Sequence, residues 1–410
     1  MPALPSSPIS PGLEQLQDLP AGDRTLLAGQ CPGLAGHLAR VPDPRDPRGV
    51  RHTLTSLLLA AIAAVLAGAQ SLAAVGEWVA DAPPQVLAAL SIRRDPLTRR
   101  FEPPDEATIR RVPGSVDAGA LDAAVGSWLT ARLRAADQGH GHGRHRRRAV
   151  AVDGKAVRGT RHARCDGQAV HLLAAADQQA GTVLAQAAVD GKTNEITQFA
   201  PLLEPLDLAG AVITADALHT QREHAEFLVR RKHAHYILVV KKNQPGLHAQ
   251  LRNLPWHQVP ASCQQRDRGH GRQEHRTLKA ATVAAGLAFP HAAQALQVTR
   301  RTRPLSGGKW RTVTVYAITS LAVIQATPAQ LAGWIRGHWQ IEALHHIRDT
   351  TYSQDSSQVR TGSDPQVMAT LRNLAIAILR PAAHPSIAAA CRHPSRDATR
   401  TLTTLGLSPA

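Results

Sequence analysis

Cysteine is too scarce and too scattered to organise this chain. Cys31, Cys165, Cys263 and Cys391 form no CxxC pair, so neither a structural zinc site nor a disulfide framework is indicated. Aromatic residues are only 3% of the chain, and the 43% hydrophobic content rests mostly on Ala, Leu and Val, a globular composition. Acidic residues are outnumbered, 31 against 47 Lys and Arg, which leaves a net charge of +16. Such an excess points to a polyanionic partner, with nucleic acid the first candidate. Met1 to Pro20 lacks a basic start followed by an apolar run, so it does not read as a secretory signal. Only Thr53 to Gly76 is uncharged over a length that could span a bilayer. Thr55, Ser56, Gln70 and Ser71 interrupt it, and a buried helix pair is the expected structure. At 410 residues the chain is long enough for more than one domain.

Residues 1–40, Pro/Gly-rich at first, are expected to be loosely ordered. Residues 41–49 are extended, because each proline disfavours helix in the residue before it. Helical patterns follow at Leu54–Ala67, Leu72–Ala80, Pro84–Leu90, Asp105–Val112 and Leu121–Ala136, so residues 41–137 are expected to form a small all-helical domain. Residues 138–148 read as a basic Gly/His/Arg linker; His140, His142 and His145 are potential metal ligands, although such a linker is more often simply solvated. Eight positive side chains fall between Arg144 and Arg164, with Asp153 the only negative one. This is the densest phosphate-binding candidate, and it nominates Arg146, Arg147, Arg148, Lys155 and Arg158 as DNA contacts.

From Ala149 the periodicity changes. Apolar runs at 149–152, 169–176 and 182–189 read as strands, Asn194–Leu203 as a helix, Ala211–Ala215 as a strand, His219–Lys232 as a helix and Tyr236–Val240 as a strand. That order is the one expected of an RNase H-like α/β core over residues 149–380. Strand-rich sequence at about 250–325 would then be an insertion into it. Residues 363–379 end the core as an amphipathic helix, and the tail at 381–410 is weakly patterned.

Within this frame, Asp153 and Asp216 each follow a short apolar run and read as strand-end residues. Glu342 lies in His338-Trp339-Gln340-Ile341-Glu342, the opening of a helix running to about Asp349. Two aspartates and a distant helical glutamate suit a divalent-metal phosphodiester site, since hard oxygen ligands hold magnesium. The separations of 63 and 126 residues are not diagnostic by themselves, and turn aspartates with a solvated glutamate are the alternative. His338, Glu342 and His346 share a helix face and could bind zinc, a less favoured arrangement.

The local sequences go further. Val152-Asp-Gly-Lys155 with Arg158-Gly159, Gly191-Lys-Thr-Asn-Glu-Ile196, Ile213-Thr-Ala-Asp-Ala-Leu-His-Thr-Gln221, Tyr236-Ile-Leu-Val-Val-Lys-Lys-Asn-Gln-Pro245, Arg336-Gly-His-Trp-Gln-Ile-Glu342 and Met368-Ala-Thr-Leu-Arg-Asn-Leu374 occur in this order. Together they resemble the DDE transposases of bacterial insertion sequences, of the ISAs type. Asp43-Pro-Arg-Asp-Pro-Arg-Gly49 and Asp105-Glu-Ala-Thr-Ile-Arg-Arg111 resemble that family's associated helical domain. The resemblance covers roughly residues 40–380. It implies an RNase H-like fold, dependence on Mg²⁺ or Mn²⁺, and cutting and joining of DNA at the element's ends. It also implies that Asp153, Asp216 and Glu342 are the triad.

Double-stranded DNA, as terminal repeats and as target, is the implied partner. A homodimer is the natural assembly for a two-ended synaptic complex, and the bacterial cytoplasm and nucleoid the expected location, with no membrane role. Lys241 and Asn243 follow a strand within a matching stretch and are candidate DNA contacts, as is Arg360. Asn194 and Glu195 are either helix-capping or DNA-contacting residues, and His219 lies near the metals or merely starts a helix. Two departures from the family pattern stand out. The sequence after Glu342 is one residue short, which rotates His345, His346 and Asp349 by about 100° relative to Glu342, and Pro113 interrupts an expected helix. They leave one alternative, a catalytically decayed copy that only binds DNA. A tyrosine recombinase, with Tyr352 as nucleophile, would leave the carboxylate motifs without a role.

Overall fold

In a computed structural model, residues 33–139, 147–163, 167–189, 194–269, 271–283, 287–381 and 384–407 are described. Expectations for residues 1–32, for Gly191-Lys192-Thr193, for Arg164 and for most of the linker, Arg146 and its histidines included, lie outside them. The chain opens with helices α1 (Leu34–Leu38), α2 (Leu54–Leu66), α3 (Leu72–Ala80), α4 (Pro84–Ala89), α5 (Glu106–Ser115) and α6 (Ala118–Gly139). The uncharged run at 53–76 is indeed a buried pair. Thr53 caps α2 by accepting from the Ser56 amide and Ser71 caps α3 by accepting from that of Ala74, and every α2 residue except Thr55 is buried. No helix among the described residues is long and apolar enough to cross a membrane.

Pro113 does not stop α5, contrary to the sequence expectation. It sits in the last turn, where few carbonyls remain to be paired. Ser115 Oγ donates to Val112 O at 2.9 Å, and Ser363 Oγ lies 2.9 Å from Pro113 O and 2.8 Å from Val116 O. Hydroxyls thus meet carbonyls at the helix end, where the intrahelical ladder runs out.

Among the described residues nine strands form one sheet: β1 (Ala149–Val157), β2 (Val170–Asp177), β3 (Thr182–Val189), β4 (Val212–Ala215), β5 (His235–Val240), β6 (Cys263–Gly269), β7 (Arg272–Thr282), β8 (Gln294–Pro304) and β9 (Arg311–Thr319). Their spatial order is β3-β2-β1-β4-β5-β9-β8-β7-β6. β1 is antiparallel to β2 and parallel to β4, β4 is parallel to β5, and the remaining pairings are antiparallel. The strand-rich stretch read as an insertion is therefore a continuation of the same sheet, joined edge to edge through β5 and β9. Sequence pattern showed the strands but not the edge they extend.

Helices α7 (Glu195–Leu203), α8 (Arg222–Glu226) and α9 (Pro245–Arg252) join the sheet strands in sequence. Helices α10 (Pro328–Gly337), α11 (Trp339–Thr350), α12 (Asp364–Leu379), α13 (Ile387–Ser395) and α14 (Ala398–Leu405) follow the last strand. The alternation of β1 divides them. Val150 and Val152 belong to one core with Phe199 of α7 and Leu228, whereas Ala151 joins a second core with Ile341 and Leu344 of α11. The second core also holds α1 to α6, the apolar face of α12, and Cys391, Leu402 and Leu405 from beyond residue 381. The N-terminal helices thus share their core with the end of the chain.

Gly126 of α6 marks one close approach: a Cβ there would collide with the Leu184 carbonyl oxygen of β3. Gly126→Val is expected to lower stability by about 1–3 kcal/mol through overpacking, read as a lower urea midpoint at unchanged m-value.

Asp122 of α6 is buried in the same layer and meets Thr370 Oγ1 at 2.5 Å and Gln366 Nε2 at 2.7 Å. Burial pushes its carboxyl up to about 7, against those hydrogen bonds. A raised native value means that the protonated form favours the fold. The contribution is complete below the unfolded value of about 4 and is lost as pH rises toward 7. Asp122→Asn should flatten that slope of stability between about pH 4 and 7, measured as urea midpoints of the two proteins.

Candidate active site

The register of the parallel pair β1–β4 sets the site. Val152 lies opposite Ala215, so the next residues, Asp153 and Asp216, come level on adjacent strands. Asp153 is not a strand end, as the sequence suggested, because β1 continues through Gly154 and Lys155 to Val157. Asp216 does follow its strand directly, and its Oδ1 accepts from the Leu218 amide at 2.9 Å, closing a 3₁₀ turn.

Glu342 is supplied by α11. This helix lies along β1, and their repeats agree: two strand residues advance about 6.6 Å and four helix residues about 6 Å. His345 Nδ1 stands 3.6 Å from Asp153 Oδ2, and Asp349 Oδ2 is 2.6 Å from Lys155 Nζ. Glu342, His345 and Asp349 are spaced i, i+3 and i+7, one helix face. The shortened sequence after Glu342 thus presents His345 and Asp349 to β1, with His345 buried and His346 exposed.

Asp153 is 24% exposed, and its carboxyl is held well above the usual range. Burial is the main cause; the charges of Asp216, Glu342 and Glu195 follow. These four carboxylates therefore bear on one another electrostatically. His345 is kept neutral by burial and by neighbouring cations, Arg348 and Lys155 among them.

Glu195 is the member that the sequence left undecided between capping and DNA contact. It begins α7, is 3% exposed, and has Oε1 2.5 Å from His171 Nε2 and Oε2 3.3 Å from His219 Nε2. Burial pushes its carboxyl upward, but the two imidazoles outweigh that and hold it at about 2. Glu195 is thus a fixed negative charge beside Asp153. His171 of β2 was not singled out by sequence, for it sits in an otherwise apolar strand and pairs only through the fold. The cluster closes over Gly154: a Cβ there would be 2.5 Å from His171 Nε2 and 2.6 Å from Glu195 Oε1.

A second relay supports Asp216. Gln178 Nε2 donates to Thr214 Oγ1 at 2.7 Å, and Thr214 Oγ1 lies 2.9 Å from His338 Nδ1. The Thr214 hydroxyl, with two lone pairs and one proton, thus ties Gln178 to the His338 ring. Burial lowers His338 to about 4, while Asp216 pulls the other way. Lys241, just after β5, also lowers His338 and so contributes a cation near the site.

The other nominated residues are placed as follows. Lys155 is largely buried and also faces Asp355 at 3.5 Å; it ties β1 to α11 and the following loop. Arg158 is 69% exposed and 3.7 Å from Asp355. Asn243 Nδ2 donates to Ala217 O at 2.6 Å, holding the turn after Asp216. Arg148 pairs with Asp177 at 2.8 Å and Arg147 Nη1 donates to Gly210 O, both at the start of β1 and away from the carboxylates. Arg360 is half-buried in the loop before α12, and its Nε has no hydrogen-bond partner. Among the described residues, no three His, Cys, Asp or Glu side chains stand close enough to enclose a metal ion. That holds for the zinc set of His338, Glu342 and His346 and equally for Asp153, Asp216 and Glu342.

Lys155 gives a test of the α11 clamp. Lys155→Met removes a cation facing Asp349 and Asp355, both partly buried, and is expected to cost about 1–3 kcal/mol, read as a lower urea midpoint.

Comparison with known proteins identifies the family. Residues 35–129 match a family described as DDE_Tnp_1-associated, and residues 144–378 match the one described as Transposase DDE domain. "Putative transposase YncI" of Escherichia coli O157:H7 is 28% identical over 85% of this chain and 87% of its own. "Putative protein YbfL" and "H repeat-associated putative transposase YhhI" of E. coli strain K12 are each 28% identical over 84% of this chain and 90% of theirs. A piggyBac transposase synaptic complex with hairpin DNA matches at a TM-score of 0.35 and 9% identity, covering 95% of this chain and 76% of that one, a likeness too weak to carry an argument. With more than half of its length matched by the Transposase DDE domain, this chain belongs to the DDE transposase family.

Proposed function

We propose that this protein cuts and joins double-stranded DNA at insertion-sequence ends, with Asp153, Asp216 and Glu342 as its triad. The observation that carries the reading is that β1, the end of β4 and α11 bring these three carboxylates into one electrostatic field, in which burial first and then the charges of Asp216 and Glu342 raise the Asp153 carboxyl. The strand order β3-β2-β1-β4-β5, with β1 antiparallel to β2 and parallel to β4, supports an RNase H-like core. In this reading residues 41–137 are the associated helical unit, 138–148 the linker, 149–380 the catalytic unit with its sheet extended at about 250–325, and 381–410 a C-terminal segment closing the shared core.

The donor set fits Mg²⁺ or Mn²⁺, because it offers hard oxygens and mutual repulsion that a divalent cation would relieve. Asp153, Asp216 and Glu342 would hold it, and when bound it would activate a nucleophilic oxygen and stabilise the leaving one. The protein's own groups prepare the rest. Glu195 stays ionised and keeps α7 against β1. Thr214 ties the His338 ring to Gln178 and so positions it near Asp216. Lys241 supplies positive charge for a phosphate beside His338. Two ends must be held together for joining, so the active assembly is a homodimer with terminal and target duplexes.

The test is a labelled duplex carrying the element's end. Nicking in Mg²⁺ or Mn²⁺ that EDTA abolishes is expected. Binding without nicking under either metal would instead favour the decayed, DNA-binding copy.

A further inference from the structure

Between α4 and α5 the chain makes a hairpin that neither the fold nor the triad requires. Its two ends are anchored: Ile92 is buried in the helical core and Phe101 packs against it. Between them the backbone is pre-formed. Asp95 N donates to Arg100 O at 2.8 Å, Arg99 N to Asp95 O at 3.0 Å and Glu102 N to Arg93 O at 3.0 Å, with Arg94 and Phe101 bridged antiparallel. Asp95 Oδ1 accepts from the amides of Leu97 and Thr98, so the hairpin's one acidic group caps its turn. Arg99 adopts φ 57°, completing the tight tip.

Four arginines line this protrusion: Arg93, Arg94, Arg99 and Arg100. Arg93 pairs with Glu102 at 3.1 Å, and the Arg94 guanidinium lies 5.6 Å from the Phe101 ring centroid. Arg99 and Arg100 are exposed and have no ion pair among the described residues. Leu97 stands between the two pairs at the tip and is 90% exposed, a large apolar side chain that nothing among the described residues covers.

A stiff, narrow, cationic projection with an apolar tip has the chemistry of a duplex-DNA wedge. Arginines bind the phosphates or enter the minor groove, and a leucine inserts at a base step and kinks it. We infer that the Ile92–Phe101 hairpin is a minor-groove contact of the helical segment, with Arg99 and Arg100 on the backbone and Leu97 as the wedge. The inference rests on the transposase reading for the identity of the polyanion. Because the hairpin is already ordered, binding costs little conformational entropy.

Fluorescence anisotropy against a labelled duplex carrying the element's end, repeated over a salt series, tests it on the full chain. Loss of two phosphate contacts in Arg99→Gln/Arg100→Gln should make the slope of log K against log salt shallower by about 1.8. The exposed control Arg230→Gln should leave the slope as in wild type. Leu97→Ser should keep the slope but reduce duplex bending, read by energy transfer between dyes on the two DNA ends. All three side chains are solvent-exposed, so unchanged circular dichroism melting is expected. A wild-type slope in the double variant, an equal loss in the control, or unchanged bending with Leu97→Ser overturns the assignment. Failure of wild type to bind any duplex would sink the transposase reading itself.

Discussion

Asp216→Asn removes strand cleavage, by about 10³-fold or more, while leaving DNA binding within a few-fold of wild type. The size follows from position. Asp216 stands level with Asp153 across β1–β4 and shares its charge field with Glu342. An asparagine is isosteric, and its carbonyl still accepts from Leu218 N, so the 3₁₀ turn survives. What is lost is a formal negative charge where a divalent cation must be held, and electrostatic contributions of this kind are among the largest single terms in catalysis. One further effect can be measured: with Asp216 neutral, Asp153 loses a repulsive neighbour, and its carboxyl should titrate lower. Nicking of a labelled end duplex in Mn²⁺, with anisotropy measured in parallel, checks the first part. Retained cleavage would remove Asp216 from the triad.

Gly154→Ala is expected to be nearly as damaging although it replaces no acidic residue. The added Cβ has no free space, since His171 Nε2 and Glu195 Oε1 lie 2.5 and 2.6 Å from it. Neither group can swing aside cheaply. Glu195 is buried at the start of α7, and its other oxygen faces His219, which is itself 1% exposed. Either the cluster parts, leaving a buried carboxylate less well paired, or β1 shifts and carries Asp153 with it. Overpacking of this kind costs about 1–3 kcal/mol. A displacement of about 1 Å at a reacting centre costs about 100-fold in rate. Both should appear, as a lower urea midpoint and slower cleavage, with DNA affinity unchanged. A Gly154→Ala protein as active as wild type would mean that the Glu195 cluster does not govern Asp153.

The three carboxylates proposed as the triad were singled out by the ordered motifs of the family resemblance, since an apolar run followed by an acid left turn aspartates and a solvated glutamate as the alternative. The extent of β1 was not, because Gly154 and Lys155 interrupt its apolar pattern; the fold pairs them across the sheet, with α7 and α11 on its two faces. Glu195 looked like any helix-start acid, and only the approach of His171 from β2 and His219 from beyond β4 makes it part of the site. Lys155 and Asn243 read as phosphate contacts on charge and polarity, yet they bond to Asp349 and to Ala217 O, pairings formed only when distant segments meet. Strands β6 to β9 were visible as strands, but edge pairing with β5 depends on long-range register, which periodicity does not encode. The C-terminal helices α13 and α14 are too short and too sparsely apolar to announce themselves before they pack.

The most direct test of a shared metal site is cleavage of the polypeptide by its own bound ion. With Fe²⁺ in place of Mg²⁺, ascorbate and peroxide generate hydroxyl radicals that cut the backbone near the metal. The account predicts cuts in three separate segments, around Asp153, Asp216 and Glu342, all suppressed together by excess Mg²⁺ and all lost in Asp216→Asn. Cuts elsewhere, such as the His140–His145 stretch alone, or cuts at the three segments that persist in Asp216→Asn, would contradict it.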